Sequence, residues 1–118
     1  MASKTTKQVH EEILSEKEIL KGVPELMDAS QFRAAEEAEL TNLAIDMMQF
    51  ISDDGTADTS DPVTLKGLTG FVKSAEEFCE SIAVNRQEFI EWTRGLGFSR
   101  RVEVYGAVVQ KFQRVLGE

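Results

Sequence analysis

Between Asp61 and Ser99 the sequence carries four helix-start signals, and these confine the stretch to short helices. Asp61-Pro62 joins a capping carboxylate to a proline whose ring suits the first helical turn. Ser74-Ala75-Glu76-Glu77 and Asn85-Arg86-Gln87-Glu88 are capping boxes, in which the outer side chains satisfy each other's orphan backbone amides. Gly95 and Gly97 break the chain, and Ser99 can cap a final helix. The pattern predicts helices over 62–72, 75–82, 86–94 and 100–116. The first holds Val63, Leu65, Leu68 and Phe71. The last carries a stripe of Val102, Tyr105, Val108, Val109, Phe112 and Leu116.

The first half reads the same way. Val9, Ile13, Leu14 and Leu20 recur at roughly helical spacing over 7–21, and Gly22 before Val23-Pro24 is a stop signal. Asp28 and Ser30 are both plausible caps for a second helix over 31–52. Its apolar stripe is Phe32, Ala35, Leu40, Leu43, Met47, Phe50 and Ile51. Residues 52–62 are polar and Asp-rich, a loop by composition. The expected architecture is all-α: an acidic helical hairpin (1–52), a linker (53–61) and a helix-turn-helix-like unit (62–118). No strand longer than three residues is expected.

At 118 residues and 42% hydrophobic, the chain can bury one domain's core. No run approaches the roughly 18 apolar residues of a membrane helix, and the N-terminus lacks the apolar core of a signal peptide. A lone Cys79 cannot form an internal disulfide, which fits a reducing compartment and a cytoplasmic setting. The net charge of -8 is unevenly placed. Residues 1–60 hold 5 basic and 13 acidic side chains, while 61–118 hold 8 of each. Phosphate contacts dominate DNA affinity, so a neutral second half leaves nucleic acid open without arguing for it.

Two short helices joined by three residues are a helix-turn-helix candidate. That motif needs an apolar then a small residue in the first helix, met by Phe78 and Cys79 with Ile82 a turn on. Its turn wants a residue that tolerates a left-handed backbone, where Ala83 is the exception to the usual glycine and would cost about 1 kcal/mol at positive φ, then an apolar plug, here Val84. Its second helix needs two inward apolar residues three apart, here Phe89 and Trp92, with Trp92 expected against Phe78 and Phe89.

The run from Glu76 to Trp92 (Glu-Glu-Phe-Cys-Glu-Ser-Ile-Ala-Val-Asn-Arg-Gln-Glu-Phe-Ile-Glu-Trp) resembles the helix-turn-helix of phage repressors. Together with Val63-Thr-Leu-Lys-Gly-Leu-Thr-Gly-Phe-Val72 and the final long helix, it also resembles small terminase subunits of tailed phages. There a Thr-x-x-Gly-Leu helix precedes a helix-turn-helix ending in an aromatic residue. The resemblance covers residues 63–114. It implies DNA recognition in a bacterial or phage-infected cytoplasm, assembly into a ring, and delivery of viral DNA to a packaging motor. On that basis Asn85, Arg86, Gln87, Ile90 and Arg94 would lie on the exposed face of the second helix. Arg and Gln there can pair with guanine and adenine edges, and Lys73, Arg100 and Arg101 would reach phosphate. Glu88 and Glu91 on the same helix would repel phosphate. A second function stays open: an acidic helical module that binds another protein, as adaptor or inhibitor, presenting carboxylates where phosphates would lie.

Nothing points to an enzyme or a cofactor. His10, the single histidine, sits near a chain end, and Cys79 falls at a small helix position that suits packing. Gly67 and Gly70 lack the strand and the Gly-Lys-Ser/Thr of a phosphate loop. Asp53, Asp54, Asp58 and Asp61 lack EF-hand spacing, so no metal is expected. Self-association is expected, because the stripes of 31–52 and 100–116 offer more apolar surface than one small domain readily hides.

Overall fold

The computed structural model describes residues 18–52 and 57–117. The helix expected over 7–21 lies outside them except for its end, where Glu18, Ile19 and Leu20 are helical. Gly22, at φ +85°, closes that turn in the left-handed region that glycine enters without a Cβ clash. An extended strap over 23–28 comes next, then a single 3-10 turn, Ala29–Gln31. Asp28 caps the turn, its carboxylate accepting from the Ser30 amide at 2.9 Å.

Four α-helices make the body: α1 Ala34–Phe50, α2 Pro62–Ile82, α3 Arg86–Arg94 and α4 Phe98–Leu116. Among the described residues there is no strand, only an isolated bridge between Leu26 and Ala83. The all-α expectation therefore holds. No described helix is long and apolar enough to cross a membrane.

Three boundaries differ from the sequence expectation. The helix expected over 31–52 begins at Ala34, because Phe32 is extended and turns its ring inward against Phe78 and Phe112. Glu36 then accepts from the Arg33 amide at 3.1 Å and closes the first turn. The two helices expected over 62–72 and 75–82 are one. Leu68, Phe71, Val72, Ala75, Phe78, Cys79 and Ile82 form an unbroken buried stripe, so the core runs straight past the capping signal at Ser74. Ser99 lies inside α4, whose N-cap is Gly97.

The core is continuous. Leu40, Leu43, Ala44 and Met47 of α1 meet the α2 stripe and Val104, Tyr105, Val108, Val109 and Phe112 of α4. Residues on both sides of the 53–61 segment thus share one hydrophobic cluster. The buried residues of the α1 and α4 stripes pack together within one chain. At the mouth of the α1–α2 hairpin, the Phe50 ring lies over Gly67, where any Cβ would come within 2.2 Å of Cε1 and Cζ. Glycine at 67 lets the ring seat directly on the helix backbone.

Candidate functional site

A three-residue turn joins α2 to α3, and capping chemistry fixes both helix starts. Asp61 caps α2, accepting from the Val63 amide at 3.4 Å and the Thr64 hydroxyl at 2.8 Å. Asn85 caps α3, its side-chain oxygen accepting from the Glu88 amide at 3.0 Å. Phe89 is 1% exposed and anchors α3 on the core.

The turn differs from the expectation. Ala83 has φ -68° and ψ 133°, so it is extended rather than left-handed, and alanine carries no strain there. Extension lets the turn pair with the strap. Met27 donates its amide to Ile82 O at 2.7 Å, and Val84 donates to Glu25 O at 3.0 Å. That pairing turns Val84 outward, and it is 65% exposed rather than a plug. Trp92 is only partly buried: its ring is 5.8 Å from Phe89, but Phe78 pairs with Phe32 instead. Thr93, one turn beyond Phe89, is the second inward residue of α3.

The eight residues nominated for DNA do not form one free basic face. Lys73 and Arg94 are exposed, and Ile90 is partly buried. Asn85 is occupied as the cap. Arg86 Nε donates to Glu80 at 3.1 Å, in a pair 73% exposed on the arginine side. Gln87 donates to Glu91 at 3.3 Å. Arg100 donates to Ile19 O at 2.7 Å and lies 3.6 Å from Glu103. Arg101 donates to Thr93 O at 2.8 Å. Its Nε is sealed from solvent with no aligned acceptor, so its 3.4 Å approach to Glu76 is ionic rather than a hydrogen bond. Glu76 also accepts from the Tyr105 hydroxyl at 2.7 Å. Arg100 and Arg101 thus tie α4 to the strap's entry and to α3, a structural use the sequence does not signal.

Burial raises the Tyr105 hydroxyl above its ordinary range, and its bond to the Glu76 carboxylate adds to the effect. Burial pushes the Cys79 thiol up to about 12, with Glu76 contributing, so it stays protonated and unreactive at neutral pH. Asp58 is held below the usual carboxylate range by its bonds from the Ser60 side chain and amide. The hydrogen bonds of Asp58 and Asp61 are those of turn and cap.

Two surfaces escape the sequence reading. The outer side of α1 bears Glu37, Thr41, Ile45 and Met48 within one arc, at 49% exposure for Ile45 and 76% for Met48. Among its charged residues α1 has only carboxylates: Glu36, Glu37, Glu39 and Asp46. The second surface is a cleft of about 670 Å³ between the strap and the C-terminal half of α4, with Leu20, Leu26, Val84, Val108, Phe112 and Val115 on its walls. Pro24, which favours extension in itself and in the residue before it, was the available signal for the strap.

No protein-family model, curated protein or solved structure matches the chain.

Proposed function

We propose that this chain is a non-enzymatic interaction module that binds a basic protein partner. The observation that carries this reading is the outer side of α1, where Ile45 and Met48 are exposed on a helix whose own charged residues are all carboxylates. A single exposed methionine means little, but two apolar side chains one turn apart on a helix that carries only negative charge suit an amphipathic, basic surface. The charge of the chain points the same way, since its excess acidity lies wholly in residues 1–60.

A second reading is a DNA-binding assembly protein resembling a phage small terminase subunit. It is favoured by the three-residue connection between α2 and α3 and by the exposure of Arg86, Gln87 and Arg94. Exposed pairs such as Arg86–Glu80 contribute less than about 1 kcal/mol and would yield to a phosphate. Two considerations weigh against it. Arg100 and Arg101 hold helices together, and Glu88 and Glu91 leave α3 without net positive charge.

The two readings separate in one anisotropy assay with a helical Leu/Lys peptide and a 20-base-pair duplex as probes. The module reading expects the peptide to bind and Met48→Glu to weaken it at least fivefold. Tight binding of the duplex, unchanged by Met48→Glu and lost in Arg94→Glu, would favour DNA.

A further inference from the structure

The strap over 23–28 pairs with the α2–α3 turn along one edge, through a single bridge, and its other edge is free of main-chain partners among the described residues. In its antiparallel bridge the bonds run from Met27 N to Ile82 O and from Val84 N to Glu25 O. Leu26 sits between those two bonds, so its own amide and carbonyl point away from Ala83, toward the opposite edge. Neither has a hydrogen-bond partner among the described residues, and the Asp28 amide and Pro24 carbonyl have none either. These four groups recur every second residue, which is the spacing of a β-ladder.

The strap also lines an apolar cleft. Leu26, Val84, Val108, Phe112 and Val115 line it, with Val84 at 65% and Val115 at 48% exposure. Unpaired main-chain groups beside apolar pockets are what an incoming strand uses: the ladder supplies affinity, and pockets for alternate side chains supply selectivity. The cleft's charges are Glu25 and Asp28 against Lys111, an excess of one carboxylate. The occupant should therefore carry a cation.

We infer that the cleft between the strap and α4 receives an extended peptide segment of another protein, one that adds a strand at Leu26 and alternates apolar side chains with lysine or arginine. This rests on the reading of the chain as a protein-binding module and gives that module a site apart from α1. The residue opposite Leu26 exchanges two main-chain bonds with it. Pro24, which has no N–H to donate, marks one end of the ladder.

The test is selection of a random eight-residue peptide library on the full chain, followed by amide spectra with the best peptide. Enriched peptides should alternate apolar residues with Lys or Arg. Binding should fall at least tenfold in Val84→Arg and in Val115→Arg, both at exposed positions. The Leu26 amide should exchange at least tenfold more slowly with peptide bound. Proline at the peptide residue facing Leu26 should weaken binding at least tenfold. The inference is overturned if the peptides bind but move the Ile45 and Met48 amides instead, an outcome that leaves the module reading standing. It is also overturned if Leu26 protection rises with protein concentration in the absence of peptide, which would make a second copy the occupant. Enrichment no greater than on blank resin would overturn the inference, while the module reading is judged separately by binding of the helical Leu/Lys peptide.

Discussion

Alanine at position 67 and alanine at position 70 should shift stability in opposite directions, although both glycines lie in α2. Replacing glycine by alanine inside an exposed helix stabilises by about 1 kcal/mol, because alanine loses less backbone freedom on folding. Gly70 is exposed, and a Cβ there meets nothing within 4 Å, so Gly70→Ala should realise that gain. At Gly67 the new Cβ would stand 2.2 Å from Phe50 Cε1 and Cζ. Carbon atoms rest near 3.5–4.0 Å, so the ring must retreat by roughly 1 Å or more. Phe50 is partly buried against the core at the last residue of α1, where it can swing outward. Losing about half the burial of a phenylalanine costs roughly 2 kcal/mol. The net expectation for Gly67→Ala is a loss of about 1 kcal/mol, so the two variants should differ by about 2 kcal/mol. For a domain of this size that is a gap of roughly 10 °C between their melting midpoints. Thermal and urea unfolding followed by far-ultraviolet circular dichroism would measure it. The decisive control is the Phe50→Ala background, where Gly67→Ala should become stabilising by about 1 kcal/mol. If Gly67→Ala stabilises the parent as much as Gly70→Ala does, the Phe50–Gly67 contact is wrong, and with it the register of α1 on α2.

Three further outcomes are expected. Alkaline pH should destabilise the fold: the folded Cys79 thiol is raised from 9.0 to about 12, so stability is full below about pH 9 and declines as the unfolded thiol ionises first. Tyr105, also raised, adds to the decline from about pH 10, and Cys79→Ala should delay its onset in urea midpoints measured from pH 8 to 11. Tyr105→Phe should cost about 1 kcal/mol at neutral pH by removing the bond to Glu76, read as a shift in urea midpoint; no shift would mean that Arg101 alone holds that carboxylate. If copies associate, the exposed Ile45 and Met48 are their contact, and Met48→Glu should return the species to 13.2 kDa in sedimentation at tens of micromolar. Association unaffected by that change would place the contact elsewhere.

Much of the fold was legible in the chain because local and tertiary forces agree there. Asp61-Pro62 and Asn85 start helices where their side chains cap them, and Phe89 with Tyr105, Val108, Val109 and Phe112 of the α4 stripe are buried as their spacing implies, while Leu116 at the helix end is exposed. Structure and sequence expectation part where tertiary packing outweighs a local signal. Ser74-Glu77 has a cap's chemistry, but Val72, Ala75, Phe78 and Cys79 bury one stripe only if the helix continues. Phe32 looks like the start of a helical stripe, yet its ring contributes more against Phe78 and Phe112 from an extended backbone. The site was less legible for a related reason. Arg100 and Arg101 have the composition of a phosphate contact, but carbonyls and carboxylates distant in the chain claim them, at Ile19, Thr93 and Glu76. The strap's pairing with the turn depends on Leu26 and Ala83, two residues far apart in the chain that no local pattern joins.

The most direct test of the proposed function is a titration of the full chain against duplex DNA at 50, 100 and 200 mM salt, chosen to span the range where phosphate contacts lose affinity. A protein that neutralises Z phosphates shows a log–log slope of about -0.9Z. With Arg100 and Arg101 anchored inside the fold and α3 electrically neutral, binding should be weak at every salt, with a slope shallower than about -2. Tight binding with a slope of about -4 or steeper would mean that the basic side chains are free for phosphate, and would contradict the assignment of this chain as a protein-binding module.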